Sequence, residues 1–584
     1  FLNIETINDF HELFKLFHGV LAVMLKDRKG AILKKYSLVP YLNSSLFEFS
    51  ELEDLTVKIS SLDNSETLEL INTTILKDIK KKSPSLPALD YLFKFLDAYD
   101  FASEGKEDIQ DGSKTLINAS VLGKVFEKIN GYKDGAYFTP GFITMHMCRQ
   151  AIRLAVVQKF KDRYGWDVDR FDDLRNFMAG RRTGKDILEF NAIINSLRLC
   201  DPAVGSGHFL VSSLNEIIAI KAELGLLADD SGICLTGYEI EISNDELIIS
   251  DSNGNIFEYQ IKGGKPVSRE AQRVQRTLFR EKQTIIENCL FGVDINPNSV
   301  KICRLRLWIE LLKNAYYKED TNYKELETLP NIDINIKCGN SLLNRFPLSA
   351  DMSKPLASIG HTMEDYRNAV QGYKNEKNRD AKRKLDKLIN TIKTEVKTEI
   401  FKTHPRKVAL EHTEAELESL SKQQDMFDNA ESKKEREGRK RRLSSEIANL
   451  RAEIKDLENN VIYKTAFEWR FEFPEVLDDV GAFKGFDVVI GNPPYIKEYE
   501  HKEVFDGLRD KECYQGKMDL WYLFGDLGLG ILSPDAYLSY IATNNWVTNS
   551  GASNFRNILI RDGEIVSLVD FGPYMIFDSA SIQT

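Results

Sequence analysis

The stretch that decides the fold runs from Phe486 to Tyr495 and reads FDVVIGNPPY. Its first six residues are a short, largely apolar run that is typical of a fully buried strand. The two prolines fix φ and remove backbone donors, so the turn after the strand is stiff and presents acceptors. The Asn492 oxygen and the Pro493 carbonyl can each accept one hydrogen bond from a planar amino group, and Tyr495 can lie flat against the attached ring. This geometry suits methylation of an exocyclic amine on a base flipped out of a duplex.

The chemistry explains why these residue types occur together. An aromatic amine is a weak nucleophile because its lone pair is conjugated with the ring. Two acceptors on its hydrogens draw the nitrogen toward a tetrahedral shape and localise the pair. A sulfonium methyl donor would need no metal, so the protein contributes positioning and electrostatics. For the four residues alone, a simple proline-rich turn at a strand end is the alternative interpretation.

A second strand-to-turn signal lies at residues 197–210, which read LRLCDPAVGSGHFL. The pattern predicts a strand, a turn in which Gly205 and Gly207 let the backbone approach a ligand, and a helix from Phe209 onward. The free N–H groups at the start of that helix suit a carboxylate. Asp201, just before the turn, suits the amino group of an amino-acid-like ligand. A lone Gly-x-Gly is weak evidence, whereas DPAxGSG is more specific.

Two more predicted strands end in polar residues that suit a nucleoside. Residues 288–297, NCLFGVDINP, place Asp294 at a strand end, where a carboxylate commonly takes both ribose hydroxyls. Residues 334–339, INIKCG, precede Asn340, which could hydrogen-bond an adenine edge. A helix N-terminal Asp and a turn Asn are the alternative interpretations. Four such signals in order predict a ligand site at the carboxyl edge of an open α/β sheet.

These motifs resemble those of DNA amino-methyltransferases that use S-adenosyl-L-methionine. DPAVGSG at 201–207 resembles their cofactor motif, NPPY at 492–495 their catalytic motif, and GAYFTP at 135–140 their N-terminal cofactor clamp. The order clamp, cofactor motif, catalytic motif is that of the gamma arrangement. The resemblance implies an adenine-specific, site-specific DNA methyltransferase with a Rossmann-like class I α/β sheet. It implies S-adenosyl-L-methionine as cofactor and duplex DNA as substrate.

Longer stretches resemble the large fused type IIG restriction–modification enzymes and their phage-defence relatives. They are VPYLNSSLFE at 39–48, LGKVFE at 122–127, FEWRFEFPEV at 467–476 and GKMDLWYLF at 516–524. For the target amine and base the resemblance implies Asn492, Pro493, Pro494 and Tyr495, with Tyr495 and Phe577 stacking on the two faces of the flipped adenine. For the cofactor it implies Tyr137, Thr139, Pro140, Asp201, Ala203, Gly205, Gly207, Asp294 and Asn340. No metal site is predicted.

The chain is predicted to contain a helical connector domain at 1–120 and a catalytic domain at 121–584. Residues 365–464 are rich in Lys, Glu and Arg, with apolar residues at alternating steps of three and four, which predicts two long helices in an antiparallel coiled arm inserted in the catalytic domain. A solvated arm is the default interpretation, and a DNA-grasping arm that uses basic residues 433–442 is the alternative. A hairpin is predicted around Ser252–Asn255, and a strand at 565–571.

Composition bounds the class of protein. With 584 residues, 42% hydrophobic and 29% charged, the chain is expected to be soluble, cytoplasmic and larger than one domain, with no membrane-spanning run. Seven cysteines without metal-ligand spacing indicate reduced core residues. The net charge of −11 would repel DNA phosphates, so basic surface must be local or lie in a missing part. Because Phe1 is not an initiator Met, we expect an excised piece. The gamma resemblance implies that a C-terminal DNA-recognition domain would follow this piece, and the type IIG resemblance implies a fused or separate nuclease, which when fused would precede Phe1.

Three other functions are weighed. Cytosine-N4 methylation poses the same chemical problem, and only the overall resemblance favours adenine. RNA or protein-glutamine methylation fits NPPY, because a carboxamide NH2 has the same donor geometry, but not the helical connector or the GKMDLW segment. A non-catalytic DNA-binding scaffold is the alternative from another class, and the intact cofactor constellation argues against it.

Overall fold

The chain is analysed as a computed structural model. It describes residues 6–37, 39–42, 47, 55–100, 115–116, 121, 125, 138–180, 183–243, 245–259, 267–323, 325–327, 329–346, 348, 353–376, 378–402, 405–422, 430–459, 465–572, 574 and 576–577. Tyr137 of the predicted clamp lies outside these residues.

The α-helices of the described residues are α1 Phe10–Phe14, α2 Gly30–Lys35, α3 Lys77–Lys80, α4 Ala88–Asp97, α5 Gly141–Tyr164, α6 Phe171–Ala179, α7 Gly184–Asn195, α8 His208–Glu223, α9 Arg269–Asn288, α10 Pro297–Lys313, α11 Ser353–Ser358, α12 Met363–Asn375, α13 Arg379–Lys402, α14 Pro405–Lys422, α15 Ala430–Asn459, α16 Trp469–Glu472, α17 Leu520–Ile531 and α18 Ser553–Asp562. The strands are β1 Thr67–Glu69, β2 Ser85–Pro87, β3 Tyr99–Asp100, β4 Thr115–Leu116, β5 Leu199–Asp201, β6 Tyr238–Ser243, β7 Glu246–Asp251, β8 Leu290–Asp294, β9 Ile336–Cys338, β10 Phe486–Gly491 and β11 Leu532–Tyr540.

The chain forms two compact units. The first holds Phe1–Cys338, Phe486–Glu500 and Gln515–Thr584, and the second holds Gly339–Gly485 and His501–Tyr514. These units are defined by contacts within the structure, whereas the predicted connector at 1–120 and catalytic domain at 121–584 were defined by sequence patterns. The predicted division into domains therefore stays a prediction.

The first unit contains a five-stranded parallel sheet in the order β11-β10-β5-β8-β9. Val488 of β10 pairs with Leu199 of β5, and Leu199 pairs with Leu290 of β8, so three short apolar runs lie side by side at the centre. All three residues are buried, as expected for a parallel sheet covered by helices on both faces. The predicted α/β class is confirmed.

Helix α8 lies in the core of this unit and packs against α5, α9, α10 and the β8 strand. Because neighbours cover most of its surface, even the charged side chains of Glu216 and Lys221 are buried. Each of these is paired: Glu216 accepts a hydrogen bond from Arg153 at 2.6 Å, and Lys221 contacts Glu281 and donates to Asn195 at 2.7 Å. Pairing is what allows a buried charge to persist.

The described residues up to position 116 contain short helices, as predicted, and also two small pairs of strands. Strands β1 and β2 pair antiparallel, and β3 pairs with β4. Buried Arg28 donates to the carbonyl groups of Val20, Tyr36 and Val39, which ties the helical segments together.

The predicted hairpin at 246–259 is partly wrong. The main partner of β7 is β6, which precedes it, and beyond Ser252–Asn255 only the bridge between Ser250 and Ile256 forms within the described residues. The predicted turn itself is confirmed: the Asp251 carboxylate accepts the N–H groups of Asn253 and Asn255, and the Asp251 N–H donates to the Asn255 carbonyl at 2.8 Å.

The strand predicted at 565–571 is also wrong. Among the described residues this segment pairs with nothing, and Val566 and Leu568 are exposed. Its composition suits a strand, but a strand also needs a partner for its backbone N–H and C=O groups. The strand that precedes this segment in the chain is β11, which runs from Leu532 to Tyr540.

In the second unit the described residues of the predicted arm include the long helices α13, α14 and α15, where the sequence predicted two. Helix α14 begins at Pro405, whose missing N–H is tolerated at the first position of a helix. The exposed ion pairs Arg439–Glu416 and Arg451–Glu414 join α15 to α14. Whether these helices form the predicted coiled arm stays a prediction.

Candidate active site

The catalytic motif begins where β10 ends, and both polar atoms of Asn492 are held there. Its Nδ2 donates to the Thr139 hydroxyl at 3.0 Å. Its Oδ1 lies 2.6 Å from the Tyr495 hydroxyl, which is also 2.9 Å from the Ile541 carbonyl oxygen. These two contacts fix the orientation of the amide and turn Oδ1 toward Tyr495. The sequence assigned Thr139 to the cofactor and gave no sign of this contact with Asn492.

The two aromatic residues predicted to sandwich a base are brought together. The ring centroids of Tyr495 and Phe577 are 6.1 Å apart, and the rings are inclined at 61°. A base stacked on both would need parallel rings about 7 Å apart, that is two contacts of about 3.5 Å. One ring would have to turn to admit a base, and the sandwich stays a prediction.

Asp201 ends β5 inside the first unit and is 1% exposed. Its Oδ1 accepts the Ala203 N–H at 3.0 Å. Burial raises the pKa of Asp201 to about 8, and the negative charge of Asp294 contributes to the rise. Such a carboxyl would become ionised when a cation is bound beside it.

Asp201 also lies against the strand that carries the catalytic motif. A Cβ placed on Gly491 would lie 2.6 Å from Asp201 Oδ1, so glycine is what allows the carboxyl to approach the end of β10. The sequence treated Gly491 only as the end of a strand. The close approach joins the predicted cofactor motif to the predicted catalytic motif.

Asp294 holds the glycine turn in place. Its Oδ2 accepts the Gly205 N–H at 2.9 Å, and its Oδ1 accepts the Asn296 N–H at 2.7 Å. Gly205 has φ +50°, in the left-handed region that favours glycine. A carboxylate offers about four acceptor positions, so these two bonds do not contradict the predicted contact with two ribose hydroxyls.

Helix α10 supports the turn from behind. Gly207 has φ +81°, and a Cβ there would lie 2.6 Å from Cys303 Sγ. Arg306, also on α10, is buried and donates to the Ser206 carbonyl at 3.3 Å. The turn backbone therefore lies in a cradle that a larger side chain would fill, which is the arrangement expected of a backbone that approaches a ligand.

Two acidic side chains that the sequence did not single out fix the surroundings. Asp519, inside the GKMDLW segment, accepts the Ile496 N–H at 3.0 Å and so holds the backbone just after NPPY. Burial raises the pKa of Asp519 to about 6. Asp245, between β6 and β7, lies with its Oδ2 2.9 Å from His208 Nε2. The search for polar residues at the ends of predicted strands could not find either residue, because each contacts a residue that is distant in the sequence.

The remaining predicted site residues are placed as follows. Pro140 immediately precedes α5 as its N-cap. Asn340 belongs to the second unit, where its Oδ1 accepts the Leu342 N–H at 3.1 Å and forms a local turn. No group of three or more His, Cys, Asp or Glu side chains suited to a metal occurs among the described residues. Within the same part of the chain, no helix combines the length and apolar character needed to cross a membrane.

The donor set of the first unit fits S-adenosyl-L-methionine. The N–H groups at the start of α8 suit its carboxylate, the Asp201 carboxyl its ammonium group and the Asp294 carboxylate its ribose hydroxyls. A parallel sheet whose strand ends carry this set next to an Asn-Pro-Pro-Tyr turn defines an α/β methyltransferase.

Comparison with known protein families identifies the kind of methyltransferase. Residues 288–577 match the family "Eco57I restriction-modification methylase", residues 177–397 match "MmeI, DNA-methyltransferase domain", and residues 1–117 match a domain of unknown function, DUF7814. The chain belongs to the type IIG restriction–modification methyltransferases.

Individual relatives agree with this assignment. A putative type II restriction enzyme and methyltransferase from Methanocaldococcus jannaschii is 26% identical over 97% of this chain and 44% of its own length. The type II restriction enzyme and methyltransferase RM.Eco57I of Escherichia coli is 28% identical over 17% of this chain and 10% of its own length. A type II methyltransferase of Aneurinibacillus aneurinilyticus is 24% identical over 18% of each chain. The chain spans less than half the length of these relatives.

Proposed function

We propose that the protein transfers a methyl group from S-adenosyl-L-methionine to the N6 amine of a flipped adenine in duplex DNA, within a restriction–modification or phage-defence system. The observation that carries the proposal is the clamped Asn492 amide, with Nδ2 on Thr139 and Oδ1 beside Tyr495. An amide oriented in this way has its oxygen on the Tyr495 side, and a carboxamide oxygen is the group that can accept from an incoming amino group.

The residues of the turn would activate the amine by accepting its protons. Asn492 Oδ1 and the Pro493 carbonyl oxygen accept one N–H each, which localises the nitrogen lone pair toward the methyl donor. The bound cofactor supplies an electrophilic methyl on a positively charged sulfur. The amine nitrogen held by the turn would take the methyl group that the sulfonium supplies, with the broken S–C bonding pair left on sulfur, and its surplus proton would leave to solvent. Positioning supplies most of the rate in such a reaction.

Residues behind the turn would prepare the cofactor side. Asp201 would hold the ammonium group, and Asp294 would keep the Gly205 backbone in its left-handed conformation while meeting the ribose. Asp519 would keep the chain after Tyr495 in register by its bond to the Ile496 N–H. These roles use oriented backbone and carboxylate groups that need no rearrangement during the reaction.

Cytosine-N4 methylation is the second candidate, because Asn492 and Pro493 would accept from a cytosine amine equally well. RNA, protein-glutamine or purely scaffolding roles have no observation in their favour. A nuclease, fused or separate, is proposed as a partner because the relative that matches 97% of this chain is named a putative type II restriction enzyme as well as a methyltransferase.

Nucleoside analysis tests the proposal. The full-length protein is expressed in a host whose DNA carries no methylated adenine or cytosine, and the digested DNA is analysed by mass spectrometry. We expect N6-methyladenosine at a defined sequence, absent with Asn492→Ala. N4-methylcytosine would select the second candidate, and unmodified DNA from a soluble protein that binds the cofactor would contradict both.

A further inference from the structure

A continuous series of contacts runs from the inserted β6–β7 hairpin to the catalytic asparagine. It starts at Asp245, passes through His208 at the beginning of α8, continues to Phe138 and ends where Thr139 meets Asn492. All of these residues belong to the first unit. The proposed mechanism assigns no role to the first three.

Asp245 occupies an unusual backbone conformation that its neighbours enforce. Its φ of +66° lies in the left-handed region that side chains other than glycine rarely adopt. The Ser212 hydroxyl donates to its Oδ1 at 2.5 Å, and the Asn215 side chain donates to its carbonyl oxygen at 2.8 Å. Unfavourable conformations that the surroundings over-determine are concentrated at functional sites.

His208 links this aspartate to the clamp segment. Its ring stacks on Phe138 at a centroid distance of 5.0 Å and an angle of 21°, and Nε2 lies 2.9 Å from Asp245 Oδ2. The residue is 5% exposed, and neither ring nitrogen forms an aligned hydrogen bond among the described residues, so the Nε2–Oδ2 contact is a close approach of the two side chains. An apolar ring would fill this space without an unpaired nitrogen, so packing alone does not account for an imidazole here.

The position of Phe138 determines that of Thr139, because the two are consecutive and both precede α5. Thr139 is 4% exposed, and its hydroxyl accepts the Asn492 Nδ2 bond at 3.0 Å. A second branch reinforces the first: the Ser212 hydroxyl also lies 3.1 Å from that of Thr144, in the first turn of α5. The hairpin thus supports the clamp from two directions.

We propose that His208 is a positioning residue for methyl transfer, and that Asp245 fixes its ring so that Phe138 holds Thr139 against Asn492. This inference rests on the proposed function for its kinetic consequence. Its structural part, that the Asp245–His208 contact holds the segment from Phe138 to Thr144 in place, is independent of any reaction.

Hydrogen–deuterium exchange tests the structural part. The variants are His208→Ala, Asp245→Asn, which nearly preserves shape, and Tyr164→Ala as a matched control. Tyr164 lies at the far end of α5 and stacks on Trp166 at 4.5 Å and 14°, so its loss removes a comparable ring contact away from the clamp. The amides of residues 141–147 should exchange faster in the first two variants and at the wild-type rate in the control. Wild-type exchange in Asp245→Asn, or equal acceleration in Tyr164→Ala, would overturn the proposal.

A double-mutant cycle tests the kinetic part. His208→Ala should lower kcat on the order of 10- to 100-fold, since small displacements of a reacting group have effects of this size. In the background of Thr139→Val the same change should lower kcat little further, because the effect passes through the Thr139 hydroxyl. Additive losses would overturn the pathway. A wild-type protein without methyl transfer would contradict the proposed function instead, and would leave the exchange result to decide the role of His208.

Discussion

Cofactor binding should release a proton from the Asp201 carboxyl. Burial raises the pKa of this group to about 8, so at pH 7 it is about 90% protonated in the protein without cofactor. A bound ammonium group favours the ionised carboxylate. We therefore expect S-adenosyl-L-methionine to bind at pH 7 with release of about 0.9 proton, and with an affinity that rises up to about tenfold per pH unit until the pH passes that pKa.

Isothermal titration calorimetry at pH 7, in two buffers of different ionisation enthalpy, measures this proton release. The difference between the two apparent binding enthalpies, divided by the difference in buffer enthalpy, gives the number of protons. Asp201→Asn is the matched control: it keeps the shape of the side chain, cannot release the proton, and should bind the cofactor more weakly. Equal enthalpies in both buffers for the wild type, or proton release retained in Asp201→Asn, would refute the reasoning.

Three further substitutions have separate signatures. Asn492→Ala should lower kcat by about 100-fold or more, because an acceptor for the amine is lost, while calorimetry should show near wild-type cofactor affinity; a large loss of affinity would place Asn492 in the cofactor site instead. Asp294→Ala leaves the Gly205 and Asn296 N–H groups without their carboxylate acceptor, at a cost of about 1–3 kcal/mol. Cofactor affinity should therefore fall at least about tenfold in the same assay. Undiminished binding would remove Asp294 from the site. Gly491→Ala places a methyl against Asp201 and should destabilise the fold by about 1–3 kcal/mol in denaturant unfolding; an unchanged midpoint would mean that the carboxyl moves aside freely.

Local sequence patterns predicted the strand ends well. Asp201, Asp294 and Asn492 each follow a short apolar run, and each is found at the end of a strand of one parallel sheet. Burial of both faces makes such runs nearly continuous in apolar residues, so the signal is contained in a few neighbouring positions.

Contacts between distant residues were missed for the opposite reason. Thr139 and Asn492 are 353 positions apart, and nothing near either residue indicates the other. The contact of His208 with Asp245 has no local signal either, because the two residues are brought together only by the fold. The segment 565–571 was mispredicted for a related reason. Its composition favours a strand, but whether a strand forms depends on whether another strand lies beside it.

The close approach of Asp201 to Gly491 also constrains how the site can change during evolution or redesign. Any side chain at position 491 would meet the Asp201 carboxyl, so the glycine that precedes the target-binding turn and the acid of the cofactor turn can vary only together. Exchanging the catalytic turn for one with a different target would therefore succeed only when that glycine is carried along. The turn that binds the methyl acceptor and the turn that binds the methyl donor are thus expected to change together.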